Sequence, residues 1–154
     1  MGLGAVADIK EEIQKINDLE FVDHEGFPED TTEAGVRWSE VVDVAASGVV
    51  PVTSAAATAK ITFAADLTAQ LEASSPTPFV LAFTNYAVTI AAGMSATHVG
   101  TVPPVPISFT SVYAIGNGGG TAEACAQEMA TVIKDWFETG TAVINGGGPT
   151  IPWA

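Results

Sequence analysis

"FVLAFTNYAVTIAAGM", residues 79–94, decides how the chain is read. Apolar side chains cover nearly the whole circumference of this run at helical spacing. Thr77-Pro78 stand before it as a hydroxyl cap and a first-turn proline, and Gly93 is placed to end it. As a helix it would be about 24 Å long, short of the ~30 Å of a bilayer core, and Thr84, Asn85, Tyr86 and Thr89 interrupt it. The run therefore reads as a helix buried on most sides, at the centre of the fold.

Three further helices precede it. Residues 4–19 place Val6, Ile9, Ile13 and Ile16 three and four apart between charged neighbours, an amphipathic stripe. That stripe is narrow and stands before a charged loop, so residues 1–20 either lie on the domain or form an interaction arm that docks on a neighbouring chain. "TEAGVRWSEVVDVAA", residues 32–46, follows hydroxyl residues able to cap it and precedes Gly48. Residues 55–73 carry Ile61, Ala64, Ala65, Leu67, Thr68 and Leu71 along one side, and Ser74-Ser75-Pro76 stops them.

Beyond residue 94 the pattern changes. "HVGTVPPVPISFTSVYAI", residues 98–115, holds three prolines and then a β-branched and aromatic run, which predicts an extended arm followed by one strand. Residues 141–153 predict a second strand-like piece able to pair with that run, within a C-terminal strand and tail at 141–154. Between them Ala122, Ala126 and Ala130 form a small-residue line on a last helix, expected to pack directly on the alanine-rich helix at 79–94. The fold class expected is mainly α (α+β). It is a compact bundle of four to five helices with a β-hairpin or short sheet and an extended proline-rich arm, all in one globular domain at 21–154.

Totals narrow the function. At 154 residues the chain can bury roughly two-thirds of its unfolded surface around one core. With 47% hydrophobic and 15% charged residues it is not a disordered composition. Five Lys and Arg stand against 18 Asp and Glu, a formal charge of -13. Lys10, Lys15, Arg37, Lys60 and Lys134 are scattered, so no basic patch exists for nucleic acid or an anionic membrane. The single Cys125, set among alanines, reads as a small buried hydrophobe. "MGLGAVADIKEE" shows neither an export signal nor a myristoylation pattern, with Val6 where Ser or Thr is wanted.

Two segments offer candidate chemistry. The loop at 21–33 gathers Asp23, His24, Glu25, Glu29, Asp30 and Glu33, the hard oxygen ligands that calcium prefers, yet lacks the EF-hand spacing or a zinc spacing. The turn at 116–121, Gly-Asn-Gly-Gly-Gly-Thr, lies after an expected strand and before a helix, as a dinucleotide-binding turn would. Thr121 breaks the last glycine position, the phosphate-binding Lys is missing, and Glu123 stands where a phosphate would sit. His98 has no catalytic partner nearby in sequence, and no nucleophile elbow accompanies the many Ser and Thr residues. No catalytic, cofactor-binding or metal residue is assigned, and no cofactor is expected.

At "GGGTAEACAQEMATVIKDWFETGTAVINGGG", residues 118–148, and at "FTNYAVTIAAGM" followed by "PPVPISF", the chain resembles small structural proteins of tailed-bacteriophage particles. The resemblance implies a non-enzymatic virion subunit of the head, neck or tail, made in many copies and assembled in the host cytoplasm. Its partners would be other virion subunits and further copies of itself, without membrane or sequence-specific nucleic acid. The alternative readings are a small acidic module binding calcium or a small ligand through 21–33, and a nucleotide-binding enzyme using 116–121.

Overall fold

The computed structural model describes residues 2–154, and its helices follow the local signals closely. Helix α1 spans Val6–Asn17, α2 Thr31–Ala46, α3 Ala56–Glu72 and α4 Pro78–Gly93. Strand β1, His98–Thr101, then leads through the proline-rich segment to α5, Thr110–Asn117, and α6, Ala122–Glu138. Strands β2, Thr141–Ile144, and β3, Thr150–Pro152, close the chain. The protein is mainly helical with one small antiparallel sheet in the order β1-β2-β3. Asp30 caps α2 by accepting from the Glu33 amide at 2.8 Å, and Thr121 caps α6 by accepting from the Ala124 amide at 3.0 Å.

Helices α2, α3 and α4 pack consecutively, and α1 lies against both α2 and α6. The α2–α3 contact is close because Gly35 carries no side chain. A Cβ there would strike Thr68 Oγ1 and come within 2.5 Å of the Ala64 carbonyl oxygen. Around Phe83 of α4 the core is aromatic, with Phe63, Tyr86 and Phe137 fully buried beside it. The sheet sets His98 opposite Ile144 and Thr101 opposite Thr141, with Thr141 in turn opposite Pro152. Trp153 is buried, and its Nε1 donates to the Thr141 carbonyl at 2.9 Å. Ala154 and Val50 exchange backbone hydrogen bonds at 2.7 and 3.1 Å, which anchors the C-terminal strand to the helices.

Three expectations are corrected. Only His98–Thr101 of the segment 98–115 is strand; residues 110–117 form α5. Strand preference in Val, Tyr and Ile reflects a pleated, half-buried setting, and here the run packs on α6 with Val112 buried and Tyr113 exposed. The strand at 141–144 therefore pairs with 98–101, not with the β-branched run. The alanine line of α6 faces α1 instead of α4: Ile13 and Asn17 border one narrow gap together with Ala122, Ala126 and Met129. Contact between α6 and α4 is made by large rings, Trp136 and Phe137 on Phe83, which hold the two axes apart. Helix α4 is apolar all round but not buried all round, since Leu81 and Val88 are exposed.

Of the two placements open to α1, the chain takes the one on the domain. Ile9, Ile13 and Ile16 are 0%, 2% and 3% exposed within the common core. Burial contributes roughly 1.5–3 kcal/mol for each such side chain. Lys10 Nζ also pairs with Glu123 of α6 at 2.8 Å, an exposed contact that orients more than it stabilises.

Two outcomes test this packing. Ile9→Ala is expected to lower unfolding free energy by about 2–5 kcal/mol, and deleting residues 2–17 to abolish cooperative urea unfolding; an unchanged midpoint in both would place α1 outside the core. Gly35→Ala is expected to destabilise by about 1–3 kcal/mol through overpacking against α3, read as a lower midpoint at constant denaturant slope.

Candidate functional site

The acidic loop is shaped by its own groups. Arg37, one turn after Glu33 in α2, donates to Glu33 Oε1 at 2.6 Å, to the Glu25 carbonyl at 3.4 Å and to the Gly26 carbonyl. The Glu29 amide donates to Glu33 Oε2 at 2.6 Å, and Asp30 is occupied as the helix cap. The Glu29 amide first, then the Arg37 guanidinium, hold the Glu33 carboxyl below its ordinary range. Both Glu33 oxygens and one of Asp30 are thus engaged by donors of the chain itself. Among the described residues no three His, Cys, Asp or Glu side chains converge as a metal site would require. His24 stands edge-on to Phe27 at 5.3 Å, with both ring nitrogens shielded and unpartnered.

The glycine turn follows a helix, not a strand, so the strand–loop–helix geometry of a dinucleotide turn does not arise. It ends α5: the Gly118 amide donates to the Ala114 carbonyl at 3.0 Å, and the Gly120 amide to Ile115 at 2.9 Å. Gly119 sits at φ +81°, a left-handed conformation that glycine adopts without steric cost. These amides point back into α5, where no anion can reach them, and Glu123 is held by Lys10.

Loop and turn nevertheless lie at the same end of the molecule. Phe21, Val22 and Phe27 from one and Thr121 and Glu123 from the other border a single open groove. The end of α1 separates them. There the buried Asp18 carboxylate accepts from Gln14 Nε2 at 3.0 Å and from the Glu20 amide at 3.1 Å, a local lock that spacing alone does not disclose.

Other titratable groups fall elsewhere. His98 begins β1 with Nδ1 2.8 Å from Thr97 Oγ1, Cys125 is half-buried, and Tyr86 is sealed in the core. Burial, with a smaller contribution from the Asp43 charge, pushes the Tyr86 phenol well above its ordinary value. A neutral hydroxyl enclosed between Phe63 and Phe137 is out of reach of a substrate.

A different surface stands out once the fold is known. Residues 73–122 and 139–154 contain no Asp, Glu, Lys or Arg. Together they build α4, α5, the proline-rich segment and the whole sheet, while every formally charged side chain belongs to α1–α3, their loops and α6. On the uncharged side Val99, Val105 and Tyr113 are 64%, 66% and 70% exposed, beside half-exposed Leu81, Val88 and Ile144. Two grooves take in Val88, Val99 and Val105. One runs between Val88 of α4 and Val99 of β1, and a second runs between Thr84 and the prolines at 103–106. Trp136 pins that segment by donating from Nε1 to the Val105 carbonyl at 2.7 Å. The charge-free windows were legible in the sequence; that β1 lies beside α4 and pairs with the C-terminal window was not.

No helix among the described residues is long and apolar enough to cross a membrane. Comparisons with protein-family models, with curated proteins and with solved structures find no match to this chain.

The Glu33 arrangement has a pH signature. A carboxyl held below its ordinary value favours the folded state above the usual glutamate range near pH ~4.3, and that contribution is lost as pH falls through the folded value. Glu33→Gln is expected to narrow the difference in urea midpoint between neutral and acid pH. An unaltered pH profile would show that the Arg37 and Glu29 contacts do not persist in solution.

Proposed function

We propose that the protein is a non-enzymatic structural subunit of a virus-like particle, an accessory component of a phage head, neck or tail that acts by docking to other subunits. The carrying observation is the uncharged face of α4, β1 and the proline-rich segment, where large apolar side chains stand exposed on a molecule whose other half carries all the charge. Large apolar side chains exposed in this way are what interaction sites present. The proline-rich segment adds to this reading, because its limited freedom before contact lowers the entropy lost on docking. The resemblance of residues 83–94, 103–109 and 118–148 to phage structural proteins supplies the particle.

Particles purified from the source of this sequence test the reading directly. A subunit is expected in their protein complement at fixed stoichiometry, encoded among capsid, portal or tail genes. Absence from the particles would refute the assignment. In parallel, calcium and ATP are expected to leave the melting temperature unchanged, since a ligand that binds the folded state alone must raise it. A saturable rise with calcium, removed by Glu33→Gln, would favour the ion-binding module instead.

A further inference from the structure

We infer that the uncharged face of α4, β1 and the proline-rich segment is closed by the same face of a second copy of this chain. The inference rests on the docking role proposed above and adds the identity of the occupant. Three observations favour a copy over a different partner. First, each chain carries a formal charge of -13, and none of the charged residues belongs to this face, although Asp66 of α3 borders it by accepting from Asn85 of α4 at 2.9 Å. Two copies that meet here keep most of their acidic groups apart and turned to water, whereas contacts through α1–α3 or α6 bring like charges together. Second, a partner recognised through positive charge would be drawn to the acidic half and would leave Val88, Val99 and Val105 uncovered.

Third, β1 is an outer strand with β2 on one side and, among the described residues, no strand on the other. Its four residues, His98-Val-Gly-Thr101, contain neither proline nor a Lys or Glu, so only the shortness of the strand limits pairing at its free edge. A two-fold axis beside β1 would bring the Val99 side chains of both copies together and set Val88 of each against the opposing strand. Such a contact is isologous, with the same residues on both sides, and it closes as a dimer.

Sedimentation velocity over a concentration series decides this, with a double variant, Val88→Glu and Val99→Glu, and a control, Ile61→Glu. Ile61 is also exposed, at 72%, but lies on α3 in the charged half. All three positions are at the surface, so circular dichroism is expected to show every variant folded. The parent and the control are expected to sediment as dimers, and the double variant as a monomer at the same concentration. A parent monomeric up to about 1 mM, weaker than any specific association of this kind, overturns the inference. So does a double variant that dimerises like the parent. A monomeric parent that floats with uncharged phosphatidylcholine vesicles assigns the face to a lipid surface and likewise overturns it. In each of these cases the particle reading is still decided separately, by the protein content of purified particles.

Discussion

Phe83 is the point at which the architecture is tied together. Its ring is fully buried and meets Phe63 of α3 at 5.2 Å, Trp136 of α6 at 5.9 Å and Phe109, at the end of the proline-rich segment, at 6.0 Å. All three contacts are edge-on, the arrangement that aromatic quadrupoles favour, each contributing about 0.5–1.5 kcal/mol beyond its burial. Three separate parts of the chain therefore converge on one face of α4. Leu81 and Val88, two residues before and five after Phe83, fall on the other side of the same helix and are left facing outward.

That outward side is what gives the molecule its polarity. Pairs such as Lys60 with Glu40 at 2.6 Å and Lys134 with Glu138 at 3.0 Å decorate the charged half. Exposed pairs of this kind contribute about 0–1 kcal/mol each, so they keep that half solvated more than they hold the fold together. The uncharged half has no such water-seeking groups. Its exposed valines and the Tyr113 ring are the part of the surface with most to gain from a partner, which links core packing around Phe83 to the proposed docking role.

The segments that looked richest in chemistry serve the backbone. Asp30 and Glu33 satisfy amides at the start of α2, Arg37 gathers the carbonyls of Glu25 and Gly26, and the glycines after Asn117 complete the end of α5. Short polar side chains and glycines are favoured at such places because helix termini leave donors and acceptors unpaired. The same residue types suit ion or phosphate binding, which is why composition alone left both alternatives open.

Local chemistry was sufficient for several elements. Helices α2, α3 and α4 lie within a residue or so of 32–46, 55–73 and 78–94, because caps, the Pro78 first turn and apolar periodicity act over one or two turns of chain. The acidic bias and the mainly helical class were legible for the same reason. Tertiary structure decided the rest. Residues 110–117 form a helix that packs on α6. The alanines of α6 met α1 and not α4, since small side chains suit a close pair of helices and the bulky Trp136 and Phe137 fill the wider gap to α4. The stripe of α1 could have faced a partner, but burying Ile9, Ile13 and Ile16 within the chain carries no cost of bringing two molecules together. Periodicity says that a face will be buried; which surface buries it depends on shape and distance between segments far apart in sequence, and those exist only once the chain has folded.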